Sequence, residues 1–490
     1  MPSRPLSREQ TWLLPPTLEE LIPADHPARF VAAFVDALDR AAWGELGVAP
    51  DGAVRGAPGY HPRVLLGVWL YGFLSGVRSS RKLEGACRES LAYLWLTGWQ
   101  RPDHNTLWRF YQEHRQPLRL LLKRTIRTAV RAGLVDLAVQ AVDGTKLVGN
   151  AATARTFDAD GLAKLLARTE AAIADLEAQN QGGDDPPPPR LPALLRQARA
   201  LQQQVQTALA AVQAEEGPQR VNLTDPDASL MKSRQGIVAG YNAQAMVSPA
   251  VVESRGARAG GLLITAAEVT TDPDDHAQLV PMIQRARGNE AGAELTLADG
   301  GYHSGPNLAA CAMLEQAVVM PEAQREALRD PYHKEAFRYD EATDSYRCPA
   351  GQTLTFRGEK HRTHRPVMRV YRGVAAVCRA CPAFDACTQD QRQGRALEIG
   401  PEDTRLRQHR ALMASEQAKS QYRQRQELPE PVFGILKEQH GARRLLLRGL
   451  DNVRAEWSLL AAAFNLRTLG RAWQARPLPE RALLTGAGLA

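Results

Sequence analysis

The chain has 490 residues, about three times the length of a single typical core, so two to four domains are expected. Its composition (44% apolar, 23% charged, 38 glycines, 32 prolines) excludes wholesale disorder, a collagen repeat and a disulfide scaffold. The net charge of +7 and pI near 9.1 suggest a polyanionic partner, and six cysteines without a membrane-length apolar run or an apolar leader point to the cytosol.

Residues 1–60 read as an N-terminal arm and linker, with one short helix over Pro27–Leu38 and a Gly/Pro-rich run at Gly44–Pro62. Apolar spacing then predicts helices at Val64–Phe73, at Arg81–Leu96 behind Ser79 and Ser80, and from Asp103 or Asn105 onward to Val130. Trp69, Trp95, Trp99 and Trp108, half of the tryptophans, fall here and are expected mostly in the core. Residues 61–131 hold thirteen Lys/Arg against four acids, a surplus of +9 that exceeds the whole chain's, and residues 401–490 add +6. Two such blocks around an acidic middle favour nucleic acid over a merely solvated helix face. Arg78, Arg81, Lys82 and Arg109 are the candidate phosphate contacts in the first block.

After Gly133 the apolar period changes from 3.6 to 2. Strands are predicted at Leu137–Leu147, Gly240–Val247, Gly261–Val269, Glu294–Ala298 and Ala317–Met320, with a helix at Asp275–Arg287, which together make a mixed α/β sheet. Leu162, Leu166, Thr169, Ile173 and Leu176 step by heptads, as do Leu194, Ala198, Leu201, Val205, Ala208 and Val212. Around the turn Gln181–Pro189 they predict an antiparallel helical hairpin inserted over residues 158–217. A second insertion, 337–396, holds Cys348, Cys378, Cys381 and Cys387. One CxxC pair and two single thiols are a partial match to a zinc ribbon, with His361 and His364 as spare ligands; four reduced thiols are the alternative. Cys87 and Cys311 read as core residues.

Asp143 is placed at the end of one buried strand, before the polar turn Gly144-Thr145-Lys146, and Asp299 ends another before Gly-Gly-Tyr-His. Each alone could simply open a turn. Two acids at strand ends beside DNA-like charge suggest a divalent cation such as Mg²⁺, which takes hard oxygen ligands and needs a third carboxylate. Glu430 supplies it, ahead of a helix expected to start at Pro431, with Val432, Phe433 and Leu436 as its apolar face and Lys437 two turns on.

Val142-Asp143-Gly-Thr, Ala298-Asp299-Gly-Gly-Tyr and Glu430-Pro-Val-Phe-Gly-x-x-Lys437, followed by Arg443-Arg444 and Arg448-Gly449, resemble the bacterial insertion-sequence transposases of the DDE class. So do Ser79-Ser-Arg-Lys-Leu-Glu-Gly, Pro102-Asp-His-Asn-Thr-Leu-Trp-Arg-Phe110 and Trp457-Ser-Leu-Leu-Ala-Ala-Ala-Phe-Asn465, so that the likeness spans about residues 20–470. Many relatives carry an arginine three or four residues before the glutamate; here Tyr422 and Arg425 precede Glu430, with Arg425 five residues away and Pro429 between. The resemblance implies an RNase H-like α/β core over residues 133–336 and 397–470, interrupted by the hairpin and the zinc-ribbon-like insertion. An all-α DNA-binding domain at 61–132 precedes this core and a tail at 471–490 follows it. It implies Asp143, Asp299 and Glu430 as catalytic ligands of Mg²⁺ or Mn²⁺, and Lys437, Arg443 and Arg444 on DNA; the Zn²⁺ expected on Cys348, Cys378, Cys381 and Cys387 rests on their spacing alone. It further implies double-stranded transposon ends and target DNA as partners, a homodimer on DNA, and a cytoplasmic, nucleoid-associated enzyme that cleaves phosphodiesters and joins ends by transesterification. A nuclease without strand transfer and a non-catalytic DNA-binding derivative are the alternatives.

Overall fold

Proline and serine set most helix boundaries in the N-terminal region of the computed structural model, whose described residues are 17–48, 59–181, 191–233, 236–254, 257–322, 330–363, 365–390, 392–477 and 480–486. Most of the Gly44–Pro62 run, the proline turn after Gln181 and His364 fall outside them. Among the described residues no helix is long and apolar enough to cross a membrane. The chain forms two compact units: one of residues 1–274, 282–293 and 427–490, the other of 275–281 and 294–426.

The first unit opens with α1 (Pro27–Asp36), started by Pro27, and α2 (Arg40–Glu45), capped by Asp39, so Gly44 lies in a helix and not in a linker. Next come α3 (Pro62–Leu74), α4 (Ser80–Glu89), α5 (Leu91–Thr97), α6 (His104–His114) and α7 (Leu120–Arg131). The single helix expected over Arg81–Leu96 is two, because Ser90 takes an extended backbone with ψ 124°. The helix expected to reach Val130 breaks after His114, where Pro117, lacking an N–H, opens a short 3-10 turn. Asp103, not Asn105, caps α6 by accepting from Thr106 N at 2.9 Å. Trp69 is buried, donates to Leu107 O at 2.9 Å and stacks on Tyr111; Trp99 and Trp108, 51% and 38% exposed, are not core residues.

The sheet of this unit contains β1 (Val139–Val148); between it and β4 (Ser229–Ser233) lie β2 (Thr156–Phe157), α8 (Ala159–Gln181), α9 (Leu191–Gln213) and β3 (Val221–Asn222). The heptad positions Leu162, Val205 and Ala208 close the α8–α9 hairpin on itself and on Val221 and Leu223, and the β2–β3 pair ties its base. The long strands β5 (Gly236–Ser254) and β6 (Ala257–Thr270) form an antiparallel ladder. β1 and β4 both pair antiparallel with β5, Asp143 standing opposite Ala245 and Thr145 opposite Ala243. The expected helix at Asp275–Arg287 is α10 (Leu279–Gly288), preceded by a 3-10 turn.

In the second unit β7 (Leu295–Leu297) runs parallel to β8 (Ala317–Val319), joined through α11 (Gly305–Met313). Next comes a five-stranded antiparallel sheet that periodicity did not reveal: β9 (Arg338–Asp340), β10 (Ser345–Arg347), β11 (Thr353–Arg362), β12 (Arg365–Gly373) and β13 (Ala396–Ile399). Phe337, Tyr346, Leu354, Tyr371, Leu397 and Ile399 are its core. The turns α12 (Ala375–Arg379) and α13 (Phe384–Cys387) lie between β12 and β13, and α14 (Asp403–Ala414) and α15 (Glu416–Arg423) follow.

The chain then rejoins the first unit as α16 (Pro429–Glu438), α17 (Leu450–Ala475) and the short α18 (Ala482–Thr485). Of the 26 residues of α17, 17 are buried, so it is covered all round: β5 and β6 pack on it, and so do α1, α3 and α7. The N-terminal helices therefore share their core with a helix more than 300 residues away in sequence. Asn465, fully buried on α17, accepts from Ile264 N at 2.9 Å and donates to Ile264 O at 2.8 Å and to Thr125 Oγ1 at 3.2 Å. It thereby satisfies both backbone groups of a β6 residue and holds α7 to the same point. Asn465→Ala should strand these groups and destabilise the first unit by about 2–4 kcal/mol, read as a lowered urea midpoint; an unchanged midpoint would remove Asn465 from this role.

Candidate active site

Asp143 lies within β1, which continues to Val148, so Gly144–Lys146 are strand and not the turn expected after it. Its half-buried carboxylate accepts from Gly144 N at 2.8 Å. α16 begins at Pro429 and not at Pro431, which places the exposed Glu430 in its first turn. Val432, Phe433 and Leu436 are buried beneath it as expected, with Phe433 stacked near Trp457. α16 packs on β1, and Lys437 Nζ donates to the buried Thr145 Oγ1 at 2.6 Å, two residues from Asp143. Asp143 and Glu430 are thus carried by two elements of one unit that are packed and bonded to each other.

Asp299 belongs to the second unit, two residues past β7. It caps the 3-10 turn Gly300–Tyr302, accepting from Gly301 N at 2.8 Å; a Cβ on Gly301 would stand 3.0 Å from Asp299 Oδ1, so the turn needs its glycine. Arg425, buried in the same unit, reaches Asp299 Oδ2 at 3.5 Å. Sequence spacing against the family pattern gave this arginine no role; its contact with an acid 126 positions earlier could not be read from spacing.

Arg81, Lys82 and Arg109 lie exposed on α4 and α6, while Leu83, Cys87, Leu107 and Phe110 face inward. Arg78 is a correction: its side chain is 6% exposed and is committed to Glu456 and to main-chain carbonyls, so it is not a surface contact for DNA phosphate. Arg443 and Arg444 are exposed, Arg443 paired with Glu438 at 2.5 Å and Arg444 Nε donating to Gly149 O at 3.2 Å.

Cys348, Cys378, Cys381 and Cys387 line one cavity of about 30 Å³ in the second unit. Gln352 N donates to Cys348 Sγ at 3.2 Å, and burial, aided by the three neighbouring thiols and opposed by Arg395, pushes the Cys387 thiol up. Among the described residues no three His, Cys, Asp or Glu side chains are gathered closely enough to hold a metal ion. Cys87 and Cys311 are buried, as expected of core residues.

A transposase DDE domain family model matches residues 347–470, and a transposase domain family of the DUF772 type matches residues 16–113. No curated protein matches the chain. The first match contains Glu430 and Lys437, and the second contains Arg81, Lys82 and Arg109.

His440, just past α16, is fully buried and donates Nδ1–H to Phe73 O at 3.1 Å. Burial, with the nearby Arg467 and Arg78 charges, lowers its pKa to about 4. The unfolded chain therefore binds a proton below about pH 6.5 that the folded chain refuses, and stability falls as pH drops toward 4. Between pH 7 and 4.5 the wild type should lose up to about 3 kcal/mol more than His440→Gln, measured by urea unfolding. Equal losses in the two proteins would exclude His440 as the source.

Proposed function

As a member of the insertion-sequence transposases of the DDE class, the chain acts, we propose, as a DNA-cleaving and DNA-joining enzyme with an RNase H-like core. The observation that carries this is the α16–β1 contact: Glu430 and Asp143 ride on packed elements, with Lys437 bonded to Thr145 between them. Asp143, Asp299 and Glu430 would hold divalent metal, since each offers hard carboxylate oxygens and Glu430 is exposed. Magnesium bound there would supply a water of lowered pKa and neutralise charge developing on phosphorus.

The chain's own groups do the rest. The Lys437 ammonium, held on Thr145 Oγ1, sets a positive charge two residues from Asp143, where it would attract a phosphate oxygen. Arg425 orients the Asp299 carboxylate, which the Gly301 N–H also fixes. Arg81, Lys82 and Arg109 project outward to neutralise backbone phosphates, with the exposed Trp108 beside Arg109. Terminal repeats and target DNA are the substrates, and a homodimer would bring the two ends together. For the four cysteines a structural zinc ion is the reading that their chemistry favours: all four would offer sulfur, and they line one cavity, although their thiols would have to draw together to bind it.

Asp143→Asn, Asp299→Asn and Glu430→Gln should each abolish cleavage and joining of a donor with paired terminal repeats in Mg²⁺, while duplex binding persists. A variant cutting at the wild-type rate would take that residue out of the site, and cleavage without joined products would favour the nuclease alternative. Metal analysis of chain purified under reducing conditions should give about one zinc per chain; none would end the zinc assignment.

A further inference from the structure

Ala442–Arg448 connects α16 to α17 and carries Arg443, Arg444 and Arg448, all exposed. It is bonded on two sides. On the strand side Leu445 N donates to Val148 O at 2.9 Å, Arg448 Nε to Asn150 O at 3.0 Å and Asn150 Nδ2 to Leu446 O at 2.7 Å. On the interior side the hold is ionic. Arg78 Nη1 meets Glu456 Oε1 at 2.6 Å, with the two side chains 6% and 2% exposed. Arg78 Nη2 donates to Arg444 O at 2.8 Å and to Gly441 O. Glu456 in turn accepts from Leu446 N and from Leu447 N, each at 3.0 Å.

Arg78 stands in the turn between α3 and α4, one turn before the exposed Arg81 and Lys82. That turn approaches the connection closely. A Cβ on Gly76, at φ +77°, would stand 2.7 Å from Gln439 O, and one on Gly441, at φ +68°, would stand 3.4 Å from Gly76 O. Desolvation works against both charged groups, lowering the arginine and raising the glutamate. A buried pair of this kind is weak evidence for net stability, because apolar residues could fill the same space at no loss. What apolar residues could not do is bond three backbone groups of a connection that has no helix or sheet ladder of its own, and a fourth at Gly441 just before it.

We propose that Arg78 and Glu456 are positioning residues that hold the 442–448 connection so that Arg443, Arg444 and Arg448 engage successive backbone phosphates of duplex DNA. The inference rests on the DNA-binding reading above. It moves Arg78 from direct contact to indirect action, and it joins the basic α4 segment and the basic connection into one DNA-facing element.

The test is the salt dependence of binding by the full-length chain to a labelled duplex of random sequence. Each phosphate neutralised contributes about −0.9 to the slope of log affinity against log salt. Arg78→Lys keeps the charge but loses the two-pronged donor set, and Glu456→Gln keeps an acceptor oxygen but loses the charge. Both should bind with slopes shallower by about 2–3, the same change given by replacing Arg443, Arg444 and Arg448 together with alanine. Adding Arg78→Lys to the triple replacement should change the slope no further. A purely structural role would lower the melting temperature and leave the slope of the folded protein at the wild-type value, and that result would overturn the proposal. If Arg78→Lys fails to fold, Glu456→Gln and the triple replacement give the same comparison. Wild-type chain that binds no duplex would overturn the DNA-binding reading itself, a failure distinct from an unchanged slope in the variants.

Discussion

Everything in the first unit depends on burying α17 around its whole circumference. A helix with 17 of 26 residues buried needs apolar cover on every side, and no single neighbouring layer supplies it. The β5–β6 ladder covers one side and α1, α3 and α7 cover others, so the N-terminal helices and the sheet are two coats on one rod. The run Leu459–Phe464, rich in alanine, lets these coats approach closely. The polar residues on this rod are accordingly few and occupied: Asn465 bonds β6 and α7, Trp457 Nε1 donates to Gln244 O at 2.9 Å, and Glu456 holds the connection before the helix. The helix start is fastened too, with Gly449 N on Asp225 at 3.1 Å and Leu450 N on Asp227 at 2.7 Å.

This constraint is also what places the candidate site. Because α17 is immobilised by its surroundings, the segment before it is held at both ends, and α16 is pressed onto β1 through Val432, Phe433 and Leu436. A carboxylate in the first turn of a short exposed helix would otherwise be free to move by a helix diameter. The bond from Lys437 to Thr145 fixes the helix axially, and the stacking of Phe433 near Trp457 fixes it about its axis. The placement of Glu430 is thus supported from behind, by the packing of α16 on β1, rather than by any contact of its own carboxylate.

How much of this was legible in the sequence depended on whether a signal was local. The heptads of α8 and α9, the period-2 run of β1 and the apolar face of α16 are local patterns, and the structure follows them. Boundaries failed where one residue outweighed the pattern: Ser90 splits a helix, Pro117 ends another, and Pro429 starts α16 earlier than Pro431. The five-stranded sheet around the cysteines was missed because β9, β10 and β13 are only three or four residues long, while the longer β11 is largely exposed and bulged against β12, leaving little periodicity to read. For the site, the acids and Lys437 could be named from motif order alone. Arg78 and Arg425 could not be understood that way, since their partners lie 378 and 126 positions distant, and residue type alone cannot separate an arginine facing solvent from one turned inward.

That distinction matters for charge as well as for packing. The +9 surplus of residues 61–131 treats every cation as equivalent, yet Arg78 is neutralised by Glu456 and Arg88 by Glu84, with Glu84 also bonded to His104. What remains outward on α4 and α6 is a smaller set, Arg81, Lys82 and Arg109, standing on helices whose opposite faces are locked into the shared core. Electrostatic attraction by a few cations held on a fixed scaffold differs from attraction by a diffuse positive segment: the first can set the register of a duplex, whereas the second only raises its local concentration. The same core that buries α17 thus converts a compositional excess of charge into a positioned one.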